Sequence, residues 1–117
     1  MLEITPRVVE QVLVLECNGR MALGEDLAFF KNFLKELLLT TDTLVVNLNN
    51  IAYMDSSGLS VLVAAYTSAR QRGATMKLAN VNPAIHDLLR ITKLLDVLEI
   101  YDGVDDAVKD FHRAASA

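Results

Sequence analysis

Leu44-Val45-Val46-Asn47-Leu48, followed by Ile51-Ala52-Tyr53-Met54-Asp55-Ser56-Ser57-Gly58-Leu59, decides how this chain folds. The first part is nearly all apolar, the pattern of a short strand buried on both faces of a parallel sheet. Beyond Gly58, the residues Leu59, Leu62, Val63, Tyr66 and Ala69 recur at helical spacing. A strand, a short turn and a helix therefore meet at Asp55-Ser56-Ser57-Gly58. The helix start offers unpaired backbone N–H groups and a partial positive charge. A serine there caps the helix, or it carries or contacts a phosphate. Ser56 is the favoured cap, which leaves Ser57 as the first helical residue, exposed at the tip. Asp55 is the alternative cap. Gly58, having no side chain, lets another molecule approach the Ser57 hydroxyl closely.

Upstream of this junction, residues 4–9 read as a strand. Pro6 cannot donate to a ladder, so this is an edge strand. Glu10-Gln11 is the turn to a second strand over residues 12–15, which stops before the turn pair Asn18-Gly19. Gly24-Glu25-Asp26 opens a first helix carrying Leu27, Phe30, Leu34, Leu37 and Leu38, and Thr40-Thr41-Asp42 closes it. Downstream, the second helix covers residues 57–72, with Gly73 at its C-terminal turn. Residues 75–79 form a fourth strand, and Asn82-Pro83 caps and starts a third helix. Residues 97–100 form a fifth strand. A last helix begins at Asp102 or Gly103, and residues 113–117 form a frayed tail. Strands and helices alternate from the second strand on. This implies one α/β domain over residues 1–117: a mostly parallel sheet, an N-terminal antiparallel edge hairpin and about four helices.

Composition narrows the function classes. A chain of 117 residues, 52% of them hydrophobic, buries a core without staples. Its longest apolar runs are far shorter than the ~20 residues of a membrane helix, so no membrane insertion is expected. No basic segment followed by an apolar one opens the chain, so no signal peptide is expected. Cys17 is the only cysteine, which fits a small core residue and a cytoplasmic location. The net charge of −4 and the absence of tryptophan argue against nucleic acid as a direct partner.

Catalytic and metal chemistry find little footing. His86 and His112 fall on different expected helices, with no cysteine or carboxylate at ligand spacing. Neither is placed by sequence to serve as a base for a serine nucleophile, and the Gly-x-Ser-x-Gly elbow is missing. No glycine-rich phosphate loop is present. The expectation is a protein with no metal, no cofactor and no catalytic residues.

The run Tyr53-Met54-Asp55-Ser56-Ser57-Gly58-Leu59 resembles the signature of STAS domains of the bacterial anti-sigma factor antagonist type. Gly19-Arg20-Met21-Ala22-Leu23-Gly24, Leu78-Ala79-Asn80-Val81-Asn82-Pro83-Ala84-Ile85 and Ile91-Thr92-Lys93-Leu94-Leu95-Asp96-Val97 resemble further segments of that family, in the same order. The resemblance implies a phosphorylation site at Ser57. The implied kinase is an anti-sigma factor of the histidine-kinase-like ATPase class, and a serine/threonine phosphatase reverses it. It implies a regulatory binding module, not an enzyme, that releases a sigma factor by partner switching. Two departures stand out. This chain has Arg20-Met21-Ala22-Leu23 where many antagonists carry an acidic loop residue, and asparagines at Asn47 and Asn49 where many have an aspartate.

The expected partner surface comprises Asp55, Ser56, Ser57 and Gly58, the short side chains Ser60, Ala64 and Thr67 along the second helix, and Met21 and Leu23 in the neighbouring loop. Met21 and Leu23 either face solvent as an apolar patch or tuck into the core. A monomer or weak homodimer is expected. The competing expectation is a STAS scaffold without a phosphoswitch, or an accessory subunit of a lipid-transport complex.

Overall fold

A computed structural model describes residues 1–116. The elements are β1 (Leu2–Val9), β2 (Val12–Met21), α1 (Glu25–Leu37), β3 (Thr43–Met54), α2 (Ser56–Gln71), β4 (Thr75–Ala79), α3 (Pro83–Ile91), β5 (Ile100–Tyr101) and α4 (Val104–Ser116). The strands form one sheet in chain order, with β1 antiparallel to β2 and the rest parallel. This is the α/β domain with an edge hairpin that the alternation implied.

Strand alternation builds two cores. Leu44, Val46 and Leu48 of β3 join the larger one, with Phe30 and Leu34 of α1, Leu62 and Tyr66 of α2, and Ile85 and Leu89 of α3. Val45 turns to the other face and meets Val12, Val14, Ala79 and, from α4, Val104, Ala107 and Val108. Successive strand side chains point to opposite faces, so a continuous apolar run is what a doubly covered strand requires.

Several boundaries differ from the sequence expectation. Asn18-Gly19 is not a turn: β2 runs through it to Met21, with ladder irregularities on either side. Gly19 has a positive φ of 121° and lies against the Met1 carbonyl, which accepts from the Arg20 N–H at 3.2 Å. The glycine therefore serves a bulged strand where the start of β1 pairs closely alongside it. β3 is longer than residues 44–48, because β2 stays paired with it out to Met54. β5 is shorter than residues 97–100. Val97 and Leu98 donate back to the Leu94 carbonyl as a turn, and only Ile100 and Tyr101 pair with β4. Residues 113–116, expected to fray, continue α4. The end of that helix is held where His112 Nε2 donates to the Glu10 carbonyl at 2.7 Å. Ala117 lies outside the described residues.

The local chemistry of other elements follows the sequence. Glu10 and Gln11 both have positive φ (49° and 72°), the two-residue hairpin geometry that matches strand twist. Gly73 takes φ 80° after α2. Asn82 caps α3 by accepting from the Ile85 N–H at 2.8 Å, with Pro83 as the first helical residue.

Two polar networks lie on the α4 face. Asn47 donates from Nδ2 to Glu16 at 2.7 Å, and its Oδ1 accepts from Asn80 at 2.8 Å. An aspartate at 47 would set a carboxylate against the Glu16 carboxylate, so the asparagine is the residue this neighbour demands. Lys77, 3% exposed, donates to Glu99 (2.7 Å), the Tyr101 hydroxyl (2.8 Å) and Asp110 (2.8 Å). Burial alone would lower the Lys77 pKa; the hydrogen bonds to Asp110, Glu99 and Tyr101 outweigh it and hold it above the ordinary value. The hydrogen bond from Lys77, then the one that the Tyr101 hydroxyl donates at 2.6 Å, pull the Asp110 carboxyl below its usual range.

Candidate functional site

The motif is built from the end of β3 outward. The Asp55 N–H donates to the Met21 carbonyl at 3.2 Å, which fixes where β3 hands over to α2. Asp55 keeps an extended backbone and is the cap of α2. Its Oδ1 accepts from the N–H groups of Ser57 (2.9 Å) and Gly58 (3.1 Å). Its Oδ2 accepts from the Leu23 N–H at 3.1 Å, across 32 residues of sequence. Ser56, the favoured cap from sequence, is instead the first helical residue. A carboxylate has two oxygens and so satisfies the helix end and the β2–α1 loop together, which one hydroxyl does not. The Leu23 N–H, then those of Gly58 and Ser57, hold the Asp55 carboxyl below the usual carboxylate range, so it stays ionised at neutral pH.

Ser56 is exposed and Ser57 half-buried, the reverse of the expected order. Ser57 lies at the mouth of a groove between α1 and α2, shared with Leu23, Lys31, Ser60, Val61 and Ala64. Among the described residues its hydroxyl has no hydrogen-bond partner, whereas Ser60 Oγ donates to the Ser56 carbonyl at 2.8 Å. Ser60, Ala64 and Thr67 are exposed along α2. Thr67 belongs to a separate depression with Tyr66 and Asp96.

Gly58 has a different role from the one expected. It is buried, and a Cβ there would lie 2.9 Å from Met21 Cβ and 3.0 Å from the Met21 carbonyl carbon, closer still to its oxygen. The missing side chain lets α2 seat on the end of β2; it does not open the serine to solvent. Met21 and Leu23 divide the alternatives between them: Met21 is fully buried and Leu23 is 83% exposed.

Sequence reading missed Lys31, the charged residue that shares the groove with Ser57. It stands one turn beyond Leu27 on the flank of the apolar stripe of α1, and that spacing was legible. It also missed the stack of the Arg20 guanidinium on the Tyr53 ring, 4.7 Å from its centroid, which pairs residues on β2 and β3.

Other candidates resolve plainly. Cys17 is buried; burial first, then the Glu16 charge, pushes its thiol up to about 12, which leaves it unreactive at neutral pH. Among the described residues no cluster of three or more His, Cys, Asp or Glu is placed to hold a metal, and no helix is long and apolar enough to cross a membrane.

A mixed-sheet α/β domain with a carboxylate-capped polar turn at the start of α2 defines the class of protein. The STAS domain model matches residues 3–107, and the chain belongs to that family. It is 37% identical over 67 residues to the anti-sigma F factor antagonist of Paenibacillus polymyxa, a match covering 57% of each chain. The chain thus spans little more than half the length of that curated relative. An anti-sigma factor antagonist from Mycobacterium paratuberculosis has the same fold, with a TM-score of 0.82 at 18% identity over 94% of this chain and 93% of that one. So does the Bacillus cell fate determinant SpoIIAA in its phosphorylated form, with a TM-score of 0.71 at 13% identity over 95% of this chain and 99% of the other.

Proposed function

We propose that this domain is an anti-sigma factor antagonist switched by phosphorylation of Ser57. Unphosphorylated, it binds an anti-sigma factor that is also its kinase, of the histidine-kinase-like ATPase class, and so frees a sigma factor. A serine/threonine phosphatase resets it. The domain acts as a substrate and binding module rather than an enzyme, in the cytoplasm. The observation that carries this reading is the arrangement at the α2 start. Asp55 takes the backbone N–H groups, and the Ser57 hydroxyl is left unbonded at a groove mouth, with Asp55, Ser56, Ser60, Ala64 and Leu23 around it. The name of the Paenibacillus relative supports the partner class.

The physics of the switch is direct exclusion. A phosphoryl group adds about −1.5 to −2 charge, while a helix end supplies about +0.5, so the charge is not neutralised. Ionised Asp55 adds repulsion. A partner surface fitted to neutral Ser57 then meets an unpaired dianion, which costs several kcal/mol at an interface. Each ~1.4 kcal/mol is about tenfold in affinity, so no refolding is needed.

Paired Ser57→Ala and Ser57→Asp baits in the native host, read by mass spectrometry, test the reading. An ATPase-fold kinase is expected on the alanine bait and lost on the aspartate bait. Recovery of the same proteins on both baits, transporter subunits above all, would replace the switch with a scaffold role.

A further inference from the structure

We infer that the groove between α1 and α2 docks an amphipathic helix of a partner that carries acidic residues beside its apolar face. This deepens the reading of the domain as a partner-binding module by naming the surface and the chemistry it accepts.

The groove runs the length of α2. Ser57 and Leu23 stand at one end, Gln71 and Arg72 at the other, and Lys31, Val61 and Ala64 line both halves. Its floor is apolar, from Leu27, Leu38, Val61 and Ala65. Its charged lining is Lys31, Lys35 and Arg72, with no carboxylate. That is unexpected on a chain of net charge −4.

The other cations sharpen the point. Arg7 pairs with Glu16, Lys77 with Glu99 and Asp110, Arg90 with Asp87, and Arg113 with Asp110. Arg70 donates to the Tyr66 hydroxyl and Arg20 stacks on Tyr53. Among the described residues only Lys31, Lys35, Arg72, Lys93 and Lys109 have no partner, and three of these five line this groove. Unspent positive charge flanking an apolar floor fits a helix whose apolar face fills the groove and whose carboxylates meet the lysines. A polyanion such as RNA fits less well, since the floor is apolar and the surface as a whole is acidic. A phosphate on Ser57, at the groove mouth, would repel the acidic occupant and draw on Lys31.

The test uses the full chain, labelled with 15N, and two stapled helical peptides sharing one leucine face. One peptide has glutamate flanks, the other lysine flanks. The glutamate peptide is expected to shift the amides of Lys31, Val61, Ala64 and Ser68. Lys31→Glu/Lys35→Glu should weaken it about tenfold or more, and Lys93→Glu/Lys109→Glu less than about twofold. All four lysines are exposed, so both double variants should keep the parent melting temperature. Absence of binding, equal binding of the lysine peptide, or shifts elsewhere would overturn the inference. So would tighter occupation of the same amides by phosphatidylglycerol vesicles or a single-stranded RNA. The peptide result does not depend on a kinase. Its failure overturns the groove alone, and failure of the two baits to differ overturns the phosphoswitch alone.

Discussion

Asp55 and Lys77 each gather three hydrogen bonds, and the two sets serve different ends. Asp55 accepts from three backbone N–H groups, two of them within three residues, and remains partly open to solvent. Lys77 is buried and donates to three side chains that lie 22, 24 and 33 residues away. The first set shapes one turn and leaves a hydroxyl available. The second ties β4, β5 and α4 together and leaves nothing over, since all three ammonium hydrogens are used. Backbone donors, one of them from the β2–α1 loop, hold the half-exposed carboxylate, whereas side chains from distant elements enclose the lysine.

The comparison breaks most visibly at Lys77. Lys77→Ala strands Glu99 and Asp110 beside an apolar gap and should cost about 3 kcal/mol, measured by urea denaturation. Its pH dependence has two edges. The raised Lys77 pKa contributes stability below about 10.5 that is lost as pH rises through the folded value, and the lowered Asp110 pKa contributes stability above about 3.8 that is lost as pH falls. In the variant, both edges should flatten.

Gly58→Ala comes next. The added methyl meets Met21 backbone, and overpacking of this kind costs about 2 kcal/mol, more than the helix gains from alanine. A melting temperature unchanged or raised would show that α2 lifts off β2 without penalty. Asp55→Ala should leave global stability less affected but speed amide exchange at Leu23, Ser57 and Gly58, while Asp55→Asn keeps most of the protection. Because the Asp55 pKa is lowered, that protection in the parent should persist above about pH 3.8 and fade as pH drops through the folded value. The smallest effect is expected from Ser56→Ala. With Asp55 as the cap, it should stay within about 0.5 kcal/mol, instead of the ~1 kcal/mol that loss of a serine cap costs.

These two sites also mark how far the sequence was legible. The polar turn could be found because its residues are consecutive and helix starts have a short-range vocabulary. Which residue capped could not, because that depended on Leu23, reached only through the loop from β2. The Lys77 cluster was invisible: a lysine inside residues 75–79 reads as a strand residue facing water, and its partners come from elements far along the chain. The end of β2 was misjudged for a similar reason. Asn18-Gly19 has the composition of a turn, and only its pairing with β1 on one side and β3 on the other shows why a strand continues there.

The strand edges have a consequence for assembly. β1, the outer strand on one side, carries Pro6, which has no N–H to offer; β5, on the other, is only two residues long. Neither border is a good template for an added strand. The sheet is thereby guarded against polymerising with copies of itself.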